Sequence, residues 1–127
     1  MKKKILGSIL LGILLIPNLA MAFTYSSYYD FDKILRTGEL NFNKGEYAVI
    51  KTTPNNKLNN APTGAKIRFE LEQEKVFGWS VVGRSSNDAY YEDISSSMKA
   101  PEKDTYRVTL KNNSGYRMAG KIKITNG

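Results

Sequence analysis

Glu70, Glu72 and Glu74 recur at every second position of "KIRFELEQE" and are the first residues whose types and spacing could do chemistry. On a strand, neighbours two apart share a face and stand about 6.5–7 Å from each other. That separation falls in the range a glycosidase uses for its acid and its second carboxylate. Glu92 and Asp93 form a second acidic pair. The competing assignment for the three glutamates is the solvated face of a strand. The chain has no histidine and no cysteine. Ser-His-Asp triads, thiolate nucleophiles, zinc sites and imidazole bases are therefore excluded. A Ser-Lys pair survives in principle. Nothing singles out one of Ser85, Ser86, Ser95, Ser96 and Ser97, which are read as lying in loop-like runs. Asp30 with Asp32, and Asp88 beside Asn87, are the acids nearest to a calcium pattern. No loop supplies the six to eight oxygens that ion takes. We expect no metal and no cofactor.

Binding chemistry is better represented. Residues 105–127 carry Arg107, Lys111, Arg117, Lys121 and Lys123 and no acid. Without Lys2, Lys3 and Lys4, the rest of the chain has 16 basic and 12 acidic residues, a net charge of +4. Residues 23–104 contribute −1 of this, with 11 basic and 12 acidic residues, so the excess positive charge lies in the final stretch. Such a cluster attracts anionic polymers, glycans or lipid headgroups, in a salt-dependent way. Two alternatives compete. Lysines on a sheet edge also prevent edge-to-edge aggregation. The row Glu70, Glu72 and Glu74 could also neutralise the cluster if its strand lies alongside. Dedicated nucleic-acid binding is not expected, because no recognition helix or single-strand aromatic motif occurs. Among the 14 aromatic residues, Tyr28 lies off the alternating face, and Tyr90 and Tyr91 are consecutive. These three form a possible sugar-stacking platform. Trp79, inside "VFGWSVV", is assigned to the core.

The elements that must position these groups are strands. Residues 1–22 read as a secretory signal peptide: "MKKK", the apolar run "ILGSILLGILLIP", and small residues around a cut after Ala22. The run is short for a membrane span, and with no cysteine a lipid-anchored lipoprotein is excluded. The expected mature chain, residues 23–127, is one secreted domain, bacterial in character, stabilised by packing without disulfides. Its dominant period is two. Tyr25, Tyr29, Phe31 and Leu35 alternate, as do Ile67, Phe69 and Leu71. "NKG" at 43–45, "PNNKLNNAPTG", "GRSSND" and "APEKD" are read as turns or loops. "VFGWSVV" reads as a buried strand, and "AYYEDISSSM" as an ambiguous one.

Tyr106, Val108 and Leu110, then Tyr116, Met118, Gly120, Ile122 and Ile124, alternate with the five basic residues. This pattern predicts a final hairpin with its charges outward and "NNSG" at its turn. Six to eight short strands predict an all-β sandwich of jelly-roll or Greek-key type, or a small barrel.

The segment "MKAPEKDTYRVTLKNNS", with the strand that follows it to residue 124, resembles the late hairpin of secreted bacterial jelly-roll-type domains. These include the pre-peptidase C-terminal type and many carbohydrate-binding modules. The resemblance implies the fold and carries no functional residue, and the Asp-rich calcium loops of many such families are absent here. The leading expectation is a non-catalytic, secreted or envelope-associated binding protein. The alternatives are a membrane-active antimicrobial or toxin-like protein and a small carboxylate-dependent glycan hydrolase.

Overall fold

The computed structural model describes residues 23–127, so the segment read as a signal peptide lies outside the described residues. Nine strands follow in order: β1 (Thr24–Phe31), β2 (Ile34–Arg36), β3 (Leu40–Phe42), β4 (Tyr47–Pro54), β5 (Lys66–Lys75), β6 (Gly78–Asp88), β7 (Ile94–Lys99), β8 (Asp104–Lys111) and β9 (Met118–Thr125). They form two antiparallel sheets, one in the order β1-β9-β4-β7 and the other in the order β2-β8-β5-β6. β3 also pairs with β8, so β2 and β3 together make one interrupted edge strand. Successive strands mostly change sheets, and apart from β5 and β6 the neighbours in a sheet are not consecutive in sequence. This is the jelly-roll arrangement of an all-β sandwich.

The inner faces follow from the alternation. Tyr29 and Phe31 from β1, Ile50 from β4, Ile122 and Ile124 from β9 meet Phe69 and Leu71 from β5 and Tyr106, Val108 and Leu110 from β8. Phe42 packs edge-on against Tyr106, with ring centroids 5.8 Å apart. A register shift between Leu71 and Glu72 opposes Leu71 to Gly83 and Glu72 to Val81. The residue past the shift, Gln73, is buried, and its amide donates to Glu102 (2.8 Å) and Asp104 (2.9 Å).

Several expectations fail here for identifiable reasons. "GRSSND" is the second half of β6 rather than a loop. Its Asn87 is buried and donates to Ile50 O, Thr52 Oγ1 and Ile94 O, tying the two sheets together. Ser85, Ser86, Ser95, Ser96 and Ser97 lie on strands β6 and β7. "VFGWSVV" is no buried strand: Val76 and Phe77 form the β5–β6 turn, and Trp79 stands on the outer face. Tyr116 is exposed in the connection before β9 and is not in the core.

The final hairpin does not exist. β8 pairs with β2, β3 and β5, whereas β9 pairs with β1 and β4 in the opposite sheet. Residues 112–117 form an arch between sheets. Asn112, itself buried, shapes it: its Oδ1 accepts from Ser114 N (2.9 Å), and its Nδ2 donates to Tyr116 O. The turn-forming residues make a turn, but one too long and too bent to hold β8 and β9 side by side.

Two core phenols tie stability to alkaline pH. Burial pushes the Tyr29 hydroxyl far above the ordinary phenol value of 10.0. Burial likewise raises Tyr106, with the Asp104 and Glu102 carboxylates adding to the shift and a hydrogen bond from the Glu102 backbone opposing it. A pKa raised by folding favours the protonated state of the native form. The stability is therefore fully present below about pH 10 and is lost as pH rises through the folded-state values. Urea midpoints should be flat from neutrality to about pH 9.5 and fall steeply beyond it. In Y29F the fall should be shallower. A wild-type midpoint unchanged at pH 11 would contradict this.

Candidate functional site

The five basic residues are divided among three environments. Arg107 and Lys111 lie on the outer face of the sheet β2-β8-β5-β6, directly beside the glutamates of β5. Arg107 Nε donates to Glu72 Oε1 at 2.6 Å, and Lys111 Nζ reaches Glu70 Oε1 at 3.0 Å. Arg84 from β6 approaches the other oxygen of Glu70 at 3.4 Å. Glu72 is only 7% exposed, so its side chain is not the solvated group that the alternation suggests. The Arg107 guanidinium also lies over the Trp79 ring, 4.3 Å from its centroid. The possibility that the glutamates neutralise the basic cluster is realised for two of its five residues, Arg107 and Lys111, because β5 and β8 are neighbours.

Arg117 lies in the arch and binds Asp30 through two parallel hydrogen bonds, from Nε (2.8 Å) and from Nη2 (2.7 Å). The hydrogen bonds from Arg117 hold the Asp30 carboxyl below its ordinary value. Asp30 is thus engaged on both oxygens by Arg117. The Asp88 carboxylate likewise accepts from the backbone amides of Tyr90 and Tyr91. Among the described residues, no group of three or more acids gathers.

Lys121 and Lys123 remain. They point outward from β9, the second strand of the sheet β1-β9-β4-β7. The register sets Tyr28 of β1 and Thr53 of β4 on either side of Lys121. It sets Ser26 and Lys51 on either side of Lys123. These residues line a depression of about 390 Å³ together with Asp93. Tyr28 is 76% exposed at its edge. Asp93 Oδ1 lies 3.5 Å from Lys51 Nζ and accepts from Thr53 Oγ1 at 3.1 Å. Among the described residues, Lys121 and Lys123 have no ion-pair partner. Three ammonium groups and one carboxylate leave this face with a net charge of +2.

Lys51 is the residue that sequence reasoning missed. Alternation in "EYAVIKTT" places it outward, but only the strand order reveals that β4 lies beside β9. Tyr90 and Tyr91 are not consecutive residues of a strand. They sit in the β6–β7 loop, each half-exposed and packed edge to face on the other at 5.0 Å. That loop ends in Asp93, which lines the depression, whereas the two tyrosines do not. The candidate platform is therefore split, with Tyr28 at the lysine cluster and Tyr90 and Tyr91 in the adjoining loop.

No protein-family model matches the chain, and no curated protein sequence matches it. A solved structure described as the crystal structure of PirA is similar, with a TM-score of 0.52 at 15% sequence identity. The match covers 87% of this chain and 100% of that one, and at this identity the likeness concerns the fold alone.

Proposed function

We propose that the protein is a non-catalytic binding protein, secreted and associated with a bacterial envelope, that holds an anionic surface polymer on the β1-β9-β4-β7 face. One observation carries this reading. Lys51 and Lys123 are directly opposite each other on neighbouring strands, with Lys121 two residues away on β9. Like charges in that position repel and weaken a sheet. A bound polyanion removes the repulsion. Spaced phosphates or carboxylates of an acidic glycan suit three ammonium groups spread over two strands. The exposed ring of Tyr28 offers a surface on which a sugar can stack. Arg107, Lys111 and Arg117 take no part, because Glu72, Glu70 and Asp30 already occupy them. The hydrolase alternative gains no support from those two glutamates, which are held by three basic side chains.

Co-sedimentation with bacterial cell wall, before and after removal of its anionic polymer, tests the proposal. Binding should weaken with salt and disappear with the polymer. K121Q/K123Q should lower affinity by about tenfold or more, while R107Q/K111Q should change it little once folding is matched. The K121Q/K123Q protein should also unfold no earlier than wild type, because the change relieves a repulsive pair. Binding that survives K121Q/K123Q at low salt would refute the assignment.

A further inference from the structure

The β5–β6 hairpin ends in Val76 and Phe77, held between the paired residues Lys75 and Gly78. Two-residue hairpin turns ordinarily use Asn, Asp or Gly, which suit the backbone and water. Here the two side chains are 89% and 96% exposed, the most exposed large apolar groups among the described residues. Turn geometry does not demand them: the positive φ, +112°, falls on Gly78. They contribute nothing to the core, and an apolar pair at a protruding tip is a cost in water.

The hairpin is graded along its length. Behind the apolar pair come Lys75, exposed, and Trp79, half-buried under the Arg107 guanidinium. Lysine and tryptophan are the side chains that settle at headgroup level, with an apolar body and a polar end. One step deeper come the Glu72–Arg107 ion pair and the Gln73 amide holding Glu102 and Asp104. From Lys75 to Trp79 the only charge in sequence is positive, and Glu74, directly opposite Trp79 in the register, is the first acid behind the tip. The order runs from apolar to interfacial to ionic, which is the polarity profile of a lipid interface.

We propose that this tip is a lipid-insertion wedge: Val76 and Phe77 enter the boundary between headgroups and acyl chains of an anionic bilayer, with Lys75 and Trp79 at headgroup level. Two side chains give reversible docking rather than permanent anchoring. The wedge lies on the other sheet from the lysine face and does not depend on it.

Trp79 is the single tryptophan of the chain and sits two residues from Phe77, so it reports directly. The purified protein would be titrated with phosphatidylcholine vesicles, with and without phosphatidylglycerol, some carrying brominated acyl chains. Insertion predicts a blue-shifted Trp79 emission and quenching by bromine, stronger with the anionic lipid. V76S/F77S should reduce partitioning by about tenfold or more, with its urea midpoint retained because both side chains are solvent-exposed. K121Q/K123Q should leave bromine quenching in place. The proposal is overturned if Trp79 does not respond at saturating lipid. It is equally overturned if V76S/F77S binds vesicles as wild type does. Loss of a protein partner in V76S/F77S, without any Trp79 response to lipid, would overturn it in favour of a protein-docking tip.

Discussion

Replacing Gly120 with alanine should cost the sandwich about 3 kcal/mol or more, a fall in melting temperature of about 15 °C for a domain of this size. Gly120 lies on β9 between Tyr29 of β1 and Pro54 of β4. A Cβ there would stand 2.3 Å from Thr53 O, 2.7 Å from Tyr29 Oη and 2.8 Å from Pro54 Cα. Two of these are backbone atoms, which cannot swing aside as a side chain can. They are also fixed from behind: Asn55 N donates to Ala119 O at 2.8 Å, and Asn59 Oδ1 accepts from Ala119 N at 3.1 Å. The strands must separate locally, and the ladder on both sides of β9 is strained. Urea unfolding should show a lower midpoint with an unchanged slope. The double variant Y29F/G120A should recover only part of the loss, since removing the hydroxyl leaves the Thr53 carbonyl in place. A loss under about 1 kcal/mol would show that β4 and β9 yield far more easily than their hydrogen bonds indicate.

The second large effect is expected at Arg107. R107A leaves Glu72 nearly buried without its cation and uncovers the face of Trp79. Breaking a buried pair from one side costs about 3–5 kcal/mol. The Arg107 side chain keeps 24% exposure, so water can partly replace it, and about 3 kcal/mol is the expected loss. The pair itself is not the source of an equal stabilisation, because removing two charges from water offsets most of their attraction. The double variant E72L/R107M should therefore regain most of the stability that R107A loses. If R107A and E72L/R107M unfold at the same denaturant concentration, the loss belongs to the packing on Trp79 rather than to an orphaned carboxylate.

The fold was legible because one-dimensional alternation reports directly which side of a strand is buried. Tyr29 with Phe31, Phe69 with Leu71, and Tyr106 with Val108 and Leu110 all face inward as their spacing implies. The candidate site was legible only in fragments. Lys121, Lys123 and Tyr28 are outward by alternation, but their meeting depends on β1 and β9 being neighbours, a pairing of the two ends of the described chain. Nothing local encodes it, and the same holds for Lys51. The hairpin expectation for 106–124 failed for a related reason. Alternation is identical whether two successive strands share a sheet or face each other across a core. The apolar run around Trp79 misled because composition does not distinguish a buried strand from a hairpin whose tip is apolar.

The place of β9 has a consequence for the order in which the molecule can be completed. β9 is the last of the described strands in chain order, yet it sits inside its sheet, between β1 and β4. Until it is present, β1 has no strand beside it and β4 has one open side. Only β5 and β6, which are consecutive and joined by two residues, can pair early at little entropic cost. A chain emerging from its N-terminus therefore stays open along the lysine-bearing sheet until β9 is released. That sheet then closes in a single late step, and Lys51, Lys121, Lys123 and Tyr28 come together only once β9 is in place.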